Sequence, residues 1–525
     1  MKNLITKLLV AALMLLIITS SIANNIQVTN VMVTGQRTTE GYTLVMFDLS
    51  WEHSWRTNDL NGDGETNWDA AWVFAKYRIS AANGGDDLWK HVSLHNTGHN
   101  GGTGTGAIID AGLVTPGNPF HAATNPALGV FIYRQANGTG TFSLSGAQLR
   151  WNYQADTVAD NAVVDVRVFA IEMVYVAQGD FWVGTPDDEM NVFTVANDVT
   201  APYTPFLITS TPPMLQQIDP ASSPNNLSMS YGLPDNLTGS DTLPLVDGFP
   251  TGYEGFYCQK YEIAQQQYVD FLNTLTQIQA NKRKHTYGSA RYAITGSTVV
   301  SYTTTNPYVA CNYLSWMDGA AYADWAGLRP MTELEYEKAC RGPRTPISGE
   351  YAMGTWAKFV FYIVNPGEID ESIPPGSNSN IVCENKIGGP MRVGVFATDS
   401  STRSLAGASY WGIMELSGNL REHAVSVGLV AGHSFTGLHG NGYLNVAGDA
   451  DVDYWPGINH NQANYLPSEP YGGVNGVTQA AGAGLQGGSW YKQTNWQTVS
   501  RRYEVINQPV HRRDLFGFRC VRSLP

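Results

Sequence analysis

The chain has 525 residues, enough for two or three domains. Its 31 Lys and Arg against 45 Asp and Glu leave a net charge of −14, which excludes a nucleic-acid binder that works through a basic face. Only 14% of residues are charged and 43% are hydrophobic, so bulk disorder is excluded, and 54 Gly, 14 Trp and 27 Tyr favour a loop-rich, β-containing secreted protein.

The amino terminus reads as a signal peptide. Lys2 and Lys7 form a short basic region, Leu8 to Ile18 is an apolar run, and Ser21-Ile22-Ala23 offers small residues for cleavage near Ala23. Residues 1–23 are therefore expected to be removed. The protein is expected to be secreted or at the cell surface, with the periplasm as a further possibility. No later stretch has the length of apolar sequence needed to span a bilayer, so no membrane span is expected. The five cysteines, Cys258, Cys311, Cys340, Cys383 and Cys520, form no CxxC pair, which argues against a cysteine-based zinc site.

Residues 24–168 are predicted to be an antiparallel β-sandwich or jelly roll. Ile26 to Thr34, Tyr42 to Trp51, Ala71 to Arg78, Gly129 to Arg134, Leu149 to Tyr153 and Val163 to Ala170 alternate apolar and polar residues, with Gly, Asn, Asp and Thr between them. A stretch rich in Pro, Ser and Asn, about 185–250, is expected to be an extended loop or insertion. Helical spacing then appears at Gln265 to Gln277 and Trp316 to Ala326. Thr332-Glu-Leu-Glu-Tyr-Glu-Lys-Ala-Cys-Arg341 opens with a capping box, Thr332 with Glu335. Loops rich in Gly and Asn fill the rest, which suggests an irregular α+β domain over 169–525.

Short signatures across this second domain resemble the formylglycine-generating enzyme, or sulfatase-modifying factor, family. They are Met173 to Gly184, Phe256 to Ile263, Pro307 to Trp316, Leu328 to Gly342, Gly418-Asn419 with Glu422, and Gly487-Gly-Ser-Trp490 with Arg501, Arg502 and Gly517-Phe-Arg519. The resemblance implies a C-type-lectin-like α+β fold. It also implies where copper would bind: the family's enzymes hold it with two cysteines, two and seven residues after the tryptophan of the Gly-Gly-Ser-Trp motif. Lys492 and Gln497 occupy those positions here. Soft Cu(I) needs thiolates, so no copper is expected and the oxidase chemistry is expected to be lost. In lacking that pair the chain is similar to gliding-motility-type surface proteins of the family, although it has no lipobox.

Other branches of the family are iron-dependent. His91, His95 and His99 are four residues apart, but Gly and Asn break any helix there, and they read as solvated loop residues. His423, His433, His439 and His460 are scattered through loops; an iron site requires them to converge. Calcium is the metal the sequence favours. Asp59-Leu-Asn-Gly-Asp-Gly-Glu65 has the first half of a calcium loop, with Asp59, Asn61, Asp63 and Glu65 as ligands and Asp69 replacing the usual last glutamate; a polar turn is the alternative. By resemblance, Asn419 and Glu422 are further structural-calcium candidates. Gly448-Asp-Ala-Asp-Val-Asp453 reads as a solvated acidic loop. Three functions remain open: a noncatalytic structural or interaction protein that assembles as homo-oligomers or filaments or with other surface proteins, a carbohydrate-binding module for a glycan, and a nonheme-iron oxidoreductase.

Overall fold

Period-two alternation over long runs makes the first part of the chain a sheet, because each strand then presents one apolar face to a shared core. The computed structural model describes residues 25–113, 126–189, 191–229, 237, 241–354, 356–398, 401–457 and 476–524. The expected signal peptide lies outside them.

The first ten strands are β1 (Gln27–Arg37), β2 (Tyr42–Leu60), β3 (Glu65–Arg78), β4 (Lys90–His91), β5 (Leu94–His95), β6 (Thr103–Gly104), β7 (Ala107–Leu113), β8 (Pro126–Arg134), β9 (Gly138–Trp151) and β10 (Asp165–Val176). Their pairings are antiparallel, as the alternation requires. Backbone hydrogen bonds join them in one sheet. The pairings run β2–β9–β5–β8–β3 and return from β3 to β2, closing a ring around Val45, Phe47, Trp51, Val73, Val130, Phe142 and Trp151.

The same sheet continues into the second half of the chain. Asp165 to Val174 of β10 pair with β3, and Met173 to Val176 pair with β17 (Phe256–Gln259). The boundary expected at 168/169 therefore falls within a strand. A strand has two edges, and β10 gives one to each part of the molecule.

The stretch 185–250 is also corrected. It holds short strands: β11 (Phe181–Val183) just before it pairs with β13 (Phe206–Ile208), and β12 (Phe193–Val195), β14 (Met214–Gln216), β15 (Leu227–Met229) and β16 (Thr242–Pro244) form a separate small sheet. Phe193, Ile208, Leu215, Leu227 and Met229 are buried in the main core. Their apolar side chains are too widely spaced to show a period, so composition alone concealed them.

The helices are α1 (Gln265–Leu272), α2 (Gln277–Arg283), α3 (Trp316–Trp325), α4 (Glu333–Arg341) and the single turn α5 (Val430–His433). The helix expected over Gln265 to Gln277 is two helices, because Thr276 starts α2 with its own capping box to Gln279. The Thr332–Glu335 box of α4 forms as the sequence indicates. Between and after the helices lie β18 (Ile294–Thr295), β19 (Thr303–Thr304), β20 (Arg329–Pro330), β21 (Arg421–Val425), β22 (Ala483–Gln486), β23 (Phe516–Gly517) and β24 (Cys520–Ser523). β17, β24 and β20 extend the large sheet, while β22, β21 and β23 form a small one.

One core spans both parts. Trp72 of β3 is buried and donates through Nε1 to the Ala326 carbonyl at the end of α3, at 2.8 Å. Gly112 and Gly129 lie against its indole; a Cβ on Gly112 would sit 2.4 Å from the ring. Glycine is required there because the ring occupies the space a side chain would need.

Candidate functional site

The Gly487-Gly-Ser-Trp490 turn leaves β22 through two residues with positive φ, +84° at Gly487 and +70° at Gly488. The turn is held at both ends. Gly418 N donates to the Gly487 carbonyl at 2.8 Å, and Trp490 N donates to the Asn419 carbonyl at 2.7 Å. The Trp490 indole donates to the Asp514 carbonyl at 2.9 Å. Glu384 N and Asn385 N then donate to the carbonyls of Lys492 and Trp490. This framework places residues 492 and 497 beside each other.

Gln497 is fully buried, and its amide nitrogen donates to the carbonyls of Ser489, Lys492 and Gln493 at 3.0, 3.2 and 3.3 Å. It clasps the turn closed. Its Oε1 approaches Gly488 so closely that a Cβ there would be 1.8 Å away. Lys492 turns outward, with its ammonium 4.3 Å from the centre of the Trp496 ring. Arg501 sits over the same ring at 4.3 Å. Trp496 thus carries two cations, and their positive charge disfavours a metal ion beside them. The adjoining cleft, lined by Arg421, Gln486, Gly488, Trp496, Arg501 and Tyr503, has about 20 Å³ of free space, room for one water. Gln486 is buried there with both side-chain polar atoms unpartnered, a water-sized hydrogen-bonding site that the sequence did not reveal.

The cysteines are free, buried thiols. Burial raises Cys383, in the segment nearest Lys492, to about 12, so its reactive thiolate is suppressed.

The histidines have separate partners. His423 on β21 is buried, bonds the Leu314 carbonyl through Nε2 at 3.0 Å, and is pushed by burial down to about 4. His433 ends α5 and is held by backbone carbonyls, and His439 accepts from Ser523 N at 3.0 Å. His460 lies outside the described residues. Among the described residues no group of three or more His, Cys, Asp or Glu side chains is gathered to hold a metal. The reading of His91, His95 and His99 as solvated is corrected at His91, which is fully buried between Leu128 and Lys76. His99 is also largely enclosed, bonding the His95 carbonyl and accepting from Arg150 N.

The calcium-loop residues separate into two groups. Asp59 accepts from Gly64 N at 2.8 Å, closing the turn between β2 and β3. Asn61 donates to the Tyr410 carbonyl at 3.1 Å, and Asp63 accepts from the Tyr410 hydroxyl at 2.9 Å and from Arg344 at 3.1 Å. Those two bonds lower the Asp63 pKa, whereas burial raises Glu65. The loop is thereby a latch onto the second half of the molecule. Asp69 does not join it. Its carboxylate is fully buried and accepts from Trp51, Ser54, the Trp55 backbone and Lys260.

Lys260 also pairs with Glu172 at 3.0 Å, so one buried ammonium faces two carboxylates across the join between the two halves. Burial raises Glu172, while Glu172, Tyr261 and Asp69 outweigh burial and raise Lys260. The sequence signal was a charge inside an apolar run, Lys260 in Phe256 to Ile263 and Asp69 before Ala70 to Ala75. A cleft of about 340 Å³ opens beside this cluster, walled by Trp55, Tyr261, Tyr410 and Trp411.

Asn419 and Glu422, the other calcium candidates, are buried. Asn419 holds Met391 N through its oxygen and Glu262 through its nitrogen. Both oxygens of Glu422 accept from Arg519 at 2.7 to 3.0 Å, so a guanidinium balances its charge. The acidic loop is corrected too, since Asp449 is buried in ion pairs with Lys282 and Arg283.

The order of these elements, β17, α3, α4, the Gly418-Asn419 turn and the Gly487-Gly-Ser-Trp490 turn, matches one known family. The model of the sulfatase-modifying factor enzyme 1-like domain matches residues 250–524. The chain belongs to this family. The sulfatase-modifying factor match begins six residues before β17, so β1 to β16, including the Met173 to Gly184 signature, precede it. No curated protein matches the chain.

Proposed function

We propose that this protein is a secreted, noncatalytic member of the sulfatase-modifying factor family, a structural or interaction protein that assembles with itself at the cell surface. The reading rests above all on Gln497. At the position where the family's enzymes carry a copper cysteine, its amide closes the turn onto three carbonyls, and Lys492 lies across Trp496 in place of the other cysteine. Neither side chain is a ligand for a soft ion. A protonated lysine has no lone pair, and the glutamine, its nitrogen bonded to backbone carbonyls, offers only a hard amide oxygen. In this reading the scaffold is retained and the chemistry is lost, as in the gliding-motility-type members that the sequence resembles, and the amino-terminal β unit supplies the contact surface.

Copper binding tests this directly. The protein is expected to retain no stoichiometric Cu(I) after dialysis and to leave a sulfatase-type cysteine peptide unoxidised under oxygen. The double variant Lys492→Cys and Gln497→Cys tests the backbone: a gain in Cu(I) affinity would show that the turn keeps the family's shape and can bring two thiolates together. Copper-dependent turnover by the unaltered protein would overturn the proposal.

A further inference from the structure

Two fully buried lysines differ in their company. Lys260 faces the carboxylates of Asp69 and Glu172, and they hold it charged. Lys76 of β3 is equally buried, but among the described residues no carboxylate pairs with it. An ammonium has three N–H donors. Lys76 Nζ donates to the Gly442 carbonyl at 2.8 Å and lies 3.3 Å from His91 Nδ1, which accepts because the other ring nitrogen donates to the Leu128 carbonyl. No third acceptor is bonded to it. Asp324, the carboxylate whose field reaches Lys76, is committed to the backbone N–H groups of Asn441 and Asp451. Burial therefore pushes Lys76 down to about 7.

Lys76 lines a cleft of about 400 Å³, within the size range of small-molecule sites. Trp325 of α3 lines it too, together with residues from 88–90, 274–279 and 442–446. The opening is apolar. Leu88, Ile278 and Val446 line it and are 42%, 66% and 83% exposed. Single exposed aliphatic side chains are ordinary, but three from separate segments gathered round one hollow mark a contact site.

We infer that this cleft binds a small amphipathic carboxylate, a fatty acid of medium chain length, with its chain against Leu275, Trp325 and Leu444 and its carboxylate on the Lys76 ammonium. The two ends of the ligand answer two separate observations. Hydrocarbon covers an apolar lining, and an anion takes the unused donor of a buried ammonium. The carboxylate supplies to Lys76 what Asp69 and Glu172 supply to Lys260, a counter-charge that keeps the ammonium protonated. An alkane would leave Lys76 unpaired, and an anion without a chain would leave the apolar walls in water. Lys90, which also lines the cleft, is already paired with Asp86 at 2.8 Å, so Lys76 is the cation in want of a partner.

Decanoate and decanol share a chain and differ in charge, so together they test this, with calorimetry and tryptophan fluorescence as readouts. Both are expected to bind the native protein. Lys76→Met keeps the length of the side chain and removes its charge. It is expected to weaken decanoate by about tenfold or more and to leave decanol within about twofold, because only a charge-assisted hydrogen bond is lost. Ile278→Asp, at an exposed position of α2 where the fold is not at stake, is expected to weaken both ligands, and decanoate more. Equal losses of the two ligands in Lys76→Met would overturn the ion pair and with it the inference. Decanoate binding that is absent from the native protein, or undiminished in Ile278→Asp, would overturn it as well. If the native protein binds neither ligand and Ile278→Asp lowers self-association, the rim is a contact between copies and the cleft is not a ligand site.

Discussion

The amino-terminal sheet and the sulfatase-modifying factor domain satisfy their buried backbone in opposite ways. In the sheet, long strands pair their own N–H and C=O groups, and the core is nearly all hydrocarbon and aromatic ring. Among its ion pairs, Arg78–Asp165 lies at the surface, with side chains 27% and 54% exposed. The second part is mostly loop, and charged side chains run through its interior. Arg329, Arg341, Arg502 and Arg519 are all fully buried, paired with Glu335, Glu337 and Glu350, Glu333, and Glu422 respectively. Irregular backbone pairs with itself less completely than a sheet, so side chains also reach its carbonyls and amides. Arg519 shows how: besides Glu422 it donates to the carbonyls of Gln259 and Met414. The sheet therefore buries charge mainly where it meets the second part, at Asp69, Lys76 and Glu172, while the loop-built domain carries buried charge throughout.

The sharpest way to break this contrast is to remove one cation from each part. Arg519→Met strands Glu422 and nearby Glu262 without their counter-ion and is expected to cost about 3 to 5 kcal/mol. Arg78→Ala in the sheet is expected to cost less than about 1 kcal/mol. Chemical denaturation followed by tryptophan fluorescence measures both. Equal losses would show that the two parts do not differ in this way.

Acid should act next, and on both parts, since burial also pushes His99 of the first part down to about 4. Burial holds His423 at about 4 in the folded protein, against 6.5 for a free histidine. Between those values the unfolded chain binds the proton and the folded chain does not. Stability is thus fully present above pH 6.5 and is lost as pH falls towards 4, by about 3 kcal/mol from this group. His423→Asn should flatten the melting temperature against pH over that window. A profile with the native slope would assign the acid sensitivity elsewhere.

The smallest effect concerns the latch between the parts. Asp63→Ala removes an exposed ion pair and one tyrosine hydrogen bond, and should lower stability by about 1 kcal/mol or less. With its carboxylate already bonded to Tyr410 and Arg344, the native loop is expected to show no melting shift on adding calcium. A calcium-dependent rise that Asp63→Ala abolishes would instead make this loop the metal site the sequence indicated.

Local pattern made several of these features legible. The period-two runs identify the antiparallel strands, Thr332 and Glu335 identify the start of α4, and the spacing after Trp490 identifies Lys492 and Gln497, because each depends on residues close in the chain. What the side chains at those positions do was not legible. Whether Gln497 faces solvent or clasps three carbonyls depends on the path of residues 489 to 493. The strands within 185–250 were hidden for a related reason, since segments of three residues carry no period and gain their burial from neighbours distant in sequence.

By itself, then, the sequence determined the strand-forming pattern of the first part, the family of the second and the identity of Lys492 and Gln497 at the spacing after Trp490. All three follow from residue identity and short spacing. Only the tertiary structure decided that β10 belongs to both parts, that Asp69 meets Lys260 rather than a calcium loop, and that Glu422 is neutralised by Arg519. The two charge contacts join residues 191 and 97 positions apart, and nothing local encodes which buried charge will find which partner.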